Sequence, residues 1–228
     1  MSGAGVGERF GAGPLARVMA LIYHLLTVEL LLLATAGPGL LALVLLDRDP
    51  SNLPLAAACA LPAGPALSAA LYALHHGRLD LTDLRPAALF WRGYRRNARD
   101  VLPIWAIWLL WITVLTMSLA NLSVTGLSEW WVGPLALIAV AATLWALNAL
   151  LITALFAFRT RDVARLAAHF LVRTPGVTAG SGCLLVLAVA AILLWSEAVL
   201  ALLGSVFLLA LLHNCRPMIA TVRHEFTE

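Results

Sequence analysis

The sequence contains no lysine, and it has little charge of either sign. All 15 of its basic residues are arginines, charged residues make up 12% of the chain, and 62% of it is hydrophobic, with a mean hydropathy of +0.92. A soluble domain of this length does not need so much apolar surface, so the composition excludes an ordinary soluble protein and indicates a membrane-embedded one. Arginine without lysine is typical of a GC-rich bacterial genome.

The sequence also lacks the residue patterns of metal, nucleotide and nucleophile sites. Its cysteines, Cys59, Cys183 and Cys215, lie in or beside apolar runs with no CxxC pair, so we expect buried, unpaired thiols. There is no HExxH or Walker A motif, and Gly180-Ser181-Gly182 has no strand-turn-helix setting, so it fits helix packing better than a nucleophile elbow. We therefore expect no cofactor, metal or catalytic residue, with a lipid-acting membrane enzyme as a minor alternative. The formal charge of +3 comes with no recognition motif, so nucleic acid is not an expected partner.

Most of the chain consists of apolar runs, each long enough to cross a hydrocarbon core of about 30 Å. They cover residues 15–46, 54–75, 101–122, 132–158, 176–195 and 198–215. The predicted fold class is therefore all-α, a polytopic bundle of six transmembrane helices. We expect one domain, residues 14–228, after a flexible Gly-rich arm formed by residues 1–13.

The arginines lie on alternate connections between these runs. Fourteen of the 15 follow this pattern: Arg9 and Arg17; Arg78, Arg85, Arg92, Arg95, Arg96 and Arg99; Arg159, Arg161, Arg165 and Arg173; Arg216 and Arg223. Because short basic loops stay on the cytoplasmic side, this pattern predicts a multi-pass protein of the bacterial plasma membrane with both termini in the cytoplasm. Anionic lipid headgroups are the expected contacts of these arginines.

Glycine and proline predict two irregular spans. Gly37-Pro38-Gly39 predicts a break or kink towards the end of span one, and Pro62 and Pro65 predict a bend within span two. In the connection between spans four and five, residues 159–175, we expect a further helix on the cytoplasmic side. In span three Trp105, Trp108 and Trp111 recur every third residue, which favours packing over stacking on a sugar ring.

The connection between spans two and three predicts an amphipathic helix beginning at Pro86 and lying at the interface. Its apolar side comprises Leu89, Trp91, Tyr94, Ala98 and Val101. The candidate contact residues on this segment are Trp91, Arg92, Tyr94, Arg95, Arg96 and Arg99. Two interpretations stay open here: contact with lipid headgroups, or docking of a cytoplasmic partner.

Polar side chains within the spans are the second group of candidates, since each is costly in hydrocarbon. Glu29 and Asn148 both fall near mid-membrane, and His24 and His213 lie nearer the inner side. One interpretation is a neutral carboxyl that joins helices by hydrogen bonds. The other is a carboxylate that binds substrate or a proton during transport.

The segment from Cys59 to Trp108 resembles the YesL-like family of bacterial integral membrane proteins, which carry a domain of unknown function. The resemblance rests on Pro62, Pro65 and Ala66, on an acidic residue at Asp80 or Asp83, and on the run Phe90, Trp91, Arg92, Tyr94, Arg96, Asn97. It implies a six-span protein with a role linked to carbohydrate uptake by ABC transporters, and it implies no catalytic residues. Gly37-Pro38-Gly39 and the absence of lysine depart from the family pattern.

The function we expect is therefore that of a non-enzymatic accessory or regulator of a carbohydrate ABC uptake system. Its expected partners are ABC transporter subunits or a second copy of the chain. A self-contained small-solute transporter using Glu29 is the alternative.

Overall fold

The computed structural model describes residues 14–47, 49–77, 85–121 and 129–226. Within them the chain forms ten α-helices and no strand: α1 Pro14–Leu45, α2 Leu53–Ala60, α3 Ala63–His76, α4 Pro86–Ala120, α5 Val132–Leu155, α6 Thr160–Arg173, α7 Pro175–Leu194, α8 Glu197–Leu202, α9 Gly204–Asn214 and α10 Arg216–Phe226. Short 3-10 turns at Pro50–Asn52 and Glu129–Trp131 precede α2 and α5. The predicted flexible arm and the acidic positions Asp80 and Asp83 lie outside the described residues.

The described helices form a membrane-embedded, multi-pass, all-α bundle, which confirms the predicted class. Four of them, α1, α4, α5 and α7, are long and apolar enough to cross a membrane individually. Two further spans arise when each bent pair is taken as one unit: α2 with α3, at an angle of 41°, and α9 with α10, at 54°. The span count is thus four to six, with six as the upper value.

The break predicted at Gly37-Pro38-Gly39 is absent, because α1 continues through Pro38 to Leu45. Gly39 lets α1 pack closely on α2, because a Cβ at this position would collide with the carbonyl oxygen of Cys59. Nearer its start, α1 places His24 against Gly77 at the end of α3. These two contacts, taken together, show that α1 runs antiparallel to the α2–α3 pair.

The bend predicted from Pro62 and Pro65 is present, and a tryptophan completes its hydrogen bonding. Gly64 N–H bonds to the Leu61 carbonyl instead of the Ala60 carbonyl, so the latter loses its usual helical partner. Trp105 in α4 replaces it, donating from Nε1 to the Ala60 oxygen at 3.0 Å. The indole can approach because a Cβ on Gly64 would lie only 2.5 Å from Trp105 Cγ. Trp105 is therefore a buried packing residue.

The predicted interfacial helix is continuous with span three, so that α4 has 35 residues and contains Pro103. Its buried face differs in part from the predicted apolar side. In the first half of α4 the buried residues lie three or four positions apart: Pro86, Phe90, Gly93, Asn97 and Val101. Of the predicted residues, Val101 is buried and Leu89, Tyr94 and Ala98 are half-buried. Trp91, expected on the apolar side, is 45% exposed. Hydropathy could not predict the whole buried face of α4, because Gly93 and Asn97 are neither large nor apolar. Gly93 packs against the ring of Tyr72.

The chain after α5 turns back on the bundle as the predicted helix, α6. Its buried stripe is Val163, Ala167 and Phe170, and Trp145 of α5 donates to the Ala164 carbonyl at 3.0 Å. The end of α6 is tied to α10 by a bidentate ion pair between Arg173 and Glu225, with N···O distances of 2.7 and 2.8 Å. The helix α6 thus packs on α5 and is joined to α10.

The cysteines are free, as predicted, but only Cys215 is buried; Cys59 is half-buried and Cys183 exposed. Gly180 packs on Asn214, whereas a Cβ on Gly176 or Gly182 would meet nothing within 4 Å. The small-residue packing expected at the start of span five is therefore made by Gly180.

Candidate functional site

Glu29 lies at the break between α8 and α9, within residues 198–215, which the sequence predicted as one unbroken span. The helix stops at Leu202 and restarts at Gly204, leaving backbone N–H groups of the new helix without intrahelical partners. Glu29, only 6% exposed, accepts from the Ser205 N–H through Oε2 at 2.6 Å, while its Oε1 is buried with no partner. A carboxyl group is thus held at the positive end of α9, and one of its oxygens stays available.

The other polar residues predicted for this region do not gather around Glu29. His24 is buried against Gly77 and the Ala73 backbone, with Nε2 unpartnered. His213 lines a separate cavity at the junction of α9 and α10. Asn148 is buried on α5, with 4% of its surface exposed. The hydrogen bond that the structure gives Glu29 comes from the Ser205 backbone, and none joins Glu29 to His24, His213 or Asn148 within the described residues.

The basic-aromatic segment of α4 presents an open surface, which we call the α4 basic face. Its members are exposed or half-exposed: Trp91, Arg92, Tyr94, Arg95, Arg96 and Arg99. An open concavity of about 780 Å³ lies along Ala88, Trp91, Arg92, Arg95 and Arg96. Trp91 packs edge-on to both Phe90 and Tyr94, at ring-centroid distances of 6.2 and 5.7 Å. Because Phe90 is fully buried, this contact anchors an exposed indole to the core.

Two asparagines, Asn97 buried and Asn214 half-buried, form links between helices that the sequence did not predict. Asn97 donates from Nδ2 to the Ser68 hydroxyl at 3.2 Å and to the Ala154 carbonyl at 3.1 Å, joining α4 to α3 and to the end of α5. Asn214 donates to the Val177 carbonyl at 2.8 Å and to the Ser181 hydroxyl at 3.0 Å. In the sequence, the only indication of either role is an asparagine on a helix that packs against other helices.

At the opposite end of the bundle, where α1 ends and α2 begins, another concavity of about 520 Å³ is lined partly by Asp47, Asp49 and Glu197. Hydrogen bonding to Ser51 lowers the pKa of the Asp49 carboxyl, whose oxygen accepts from the Ser51 N–H at 2.8 Å. This carboxylate therefore has a local role as the cap of the turn before α2.

No group of three His, Cys, Asp or Glu side chains within the described part of the chain is placed to hold a metal ion. Comparisons with known protein families, with curated proteins and with solved structures give no match.

Proposed function

We propose that this protein is a non-enzymatic accessory or regulator of a carbohydrate ABC uptake system in the bacterial plasma membrane. The observation that carries the proposal is the α4 basic face, in the segment that resembles the YesL-like family. The alternating arginines support an arrangement with this face and both termini in the cytoplasm. A permease or its ATPase subunit would meet the face from that side.

The α4 basic face has the chemistry of a protein-docking surface. Arginine and tryptophan are the residues most enriched among those that dominate binding energies. Here Arg92, Arg95 and Arg96 surround Trp91 on a helix whose opposite side is fixed by burial of Phe90 and Asn97. A rigid helix loses little conformational entropy on binding. The arginines favour an acidic groove on the partner, and the tryptophan favours one that is partly apolar.

Affinity purification tests this proposal. The tagged full chain, extracted from its native membrane in mild detergent, is expected to retain ABC permease or ATPase subunits in stoichiometric amount. The triple variant Arg92→Glu, Arg95→Glu, Arg96→Glu is expected to lose those subunits and to lower sugar uptake by cells. A matched charge reversal on α6, Arg161→Glu with Arg165→Glu, should leave both readouts unchanged.

The proposal is wrong if the native protein is recovered without transporter subunits, or if the α4 triple variant supports normal uptake. Equal losses in the α4 and α6 variants would point to a general effect of negative charge on lipid association, and would also count against specific docking. Recovery of a second tagged copy alone would identify self-association as the role of the face.

A second candidate function, transport of a small solute by this chain alone, is favoured by the environment of Glu29. Broken helices with a buried carboxylate are typical of transport pathways. The break at Leu203 and the unpartnered Oε1 of Glu29 give this chain both features.

Solute flux in proteoliposomes distinguishes transport from a purely structural role of Glu29. Glu29→Gln keeps an oxygen that can accept from Ser205 but removes the ionisable group, whereas Glu29→Leu removes both. Transport through the carboxylate predicts loss of flux in Glu29→Gln with the fold retained. A structural role predicts that Glu29→Gln behaves as the native protein and only Glu29→Leu is destabilised.

A further inference from the structure

A second basic cluster lies where the C-terminal turn of α3 meets the bend between α9 and α10. It borders a cavity of about 350 Å³. The polar lining consists of His75, His213, Arg216 and Arg223, and the apolar lining of Leu74, Leu209, Leu212, Ile219 and Ala220. The described lining thus contains four basic side chains and no carboxylate.

The cavity is a product of the local helix geometry. Its residues on α9 and α10 follow one another at intervals of three or four, so they form one continuous face across the bend of 54°. His75 faces them from the last turn of α3, close enough to Arg223 for the two to interact electrostatically. Three helices therefore bring their basic groups to the same cavity.

The nearest carboxylate along α10 is already engaged elsewhere. Both oxygens of Glu225 accept from Arg173 of α6, at 2.7 and 2.8 Å. This pairing favours an exogenous anion as the counter-charge for Arg216, which is exposed, as is His213. Phosphate suits the planar guanidinium of Arg216, which can donate two parallel hydrogen bonds to it.

The apolar part of the lining indicates that the ligand also has an apolar portion. Leu74, Leu209 and Leu212 form an apolar wall of the cavity, on helices that belong to apolar spans. A soluble phosphate would leave this wall uncovered, whereas acyl chains would cover it. Basic cavities between transmembrane helices are known binding places for the headgroups of anionic lipids.

We propose that this cavity is a specific site for an anionic phospholipid, with the phosphate held by His75, His213 and Arg216 and the acyl chains lying along the leucine wall. The site is distinct from the α4 basic face, which is an open surface of one helix. It is also independent of the proposed accessory function, since a transporter or an accessory protein could equally carry a bound lipid.

Lipid binding by the delipidated full chain in detergent tests the site. Native mass spectrometry would measure retention of phosphatidylglycerol against phosphatidylcholine of the same acyl composition. We expect phosphatidylglycerol to bind about tenfold more tightly or better, and the double variant His213→Ala with Arg216→Ala to lose that preference, because charge-assisted hydrogen bonds are lost. Arg216→Lys should recover part of it, since it restores the charge without the planar fork.

The matched control is Arg161→Ala with Arg165→Ala, which removes two exposed arginines from α6. Unchanged preference in this control supports the proposal, and an equal loss in it overturns the assignment to the cavity. Retention of the preference in the His213 and Arg216 double variant also overturns it. Inorganic phosphate binding as tightly as phosphatidylglycerol would identify a free-phosphate site and reject the lipid.

Discussion

The hydrogen bond from Trp105 to the bend in span two gives the sharpest prediction about stability. Trp105→Phe keeps an aromatic ring but removes the Nε1 donor, which leaves the Ala60 carbonyl without its partner. Hydrogen bonds between transmembrane helices contribute about 0.6 kcal/mol on average and about 1.7 kcal/mol at most. The smaller ring also leaves a cavity beside Gly64, at a cost of roughly 1 kcal/mol. We expect a total loss of about 2 kcal/mol, equivalent to a fall of about 30-fold in the folded-to-unfolded ratio.

The matched control is Trp111→Phe, because Trp111 is on the same helix and 55% exposed, whereas Trp105 is 8% exposed. Its expected effect is within about 0.5 kcal/mol, as is usual for exposed positions. Pulse labelling of the buried Cys215 thiol during unfolding in mixed micelles measures both variants, in a background where Cys59 and Cys183 are replaced by serine. Equal costs for the two tryptophan variants would refute the reasoning that the bond to the Ala60 carbonyl matters.

Three further substitutions and one control probe the packing of the bundle, and each can be measured by the same labelling method. Asn97→Ala is expected to cost about 1–3 kcal/mol, since it leaves buried polar groups on two neighbouring helices unpaired, and a cost near zero would contradict that role. Gly64→Ala should destabilise the protein strongly because its Cβ would overlap an indole ring, whereas Gly133→Ala, with nothing within 4 Å, should be neutral or slightly favourable. Arg173→Ala should cost less than about 1 kcal/mol, because its ion pair with Glu225 is 46% and 35% exposed, and a larger loss would show that this pair holds α6 in place.

Several elements of the fold could be predicted from the sequence because their causes are local. Both α5 and α7 are long and apolar enough to cross a membrane, so each can be predicted as a spanning helix without knowledge of the helices that contact it. Pro62 and Pro65 remove backbone donors, so the bend between α2 and α3 follows from residue identity alone. The basic-aromatic character of α4 is likewise present in the sequence, and so is the candidate role of Glu29.

The faces, breaks and partners depended on packing. The buried face of α4 was predicted only in part, because a glycine and an asparagine, Gly93 and Asn97, take part in it. The break at Leu203 is marked in the sequence only by Gly204, with no proline, whereas α1 continues through Pro38 between two glycines. A contact with another helix is present at both places, from Glu29 to Ser205 in the first and between Gly39 and Cys59 in the second.

The sequence by itself thus determined that this protein is a bundle of apolar helices with its arginines grouped on alternate connections. The tertiary structure alone decided that Glu29 meets Ser205 across 176 positions of the chain, and that His75 and Arg216 share a cavity. The physical reason is that hydrocarbon selects helices one segment at a time, by length and hydropathy. Which faces meet is settled afterwards by close approach of small residues and by hydrogen bonds between distant segments, and neither leaves a periodic signal in the sequence.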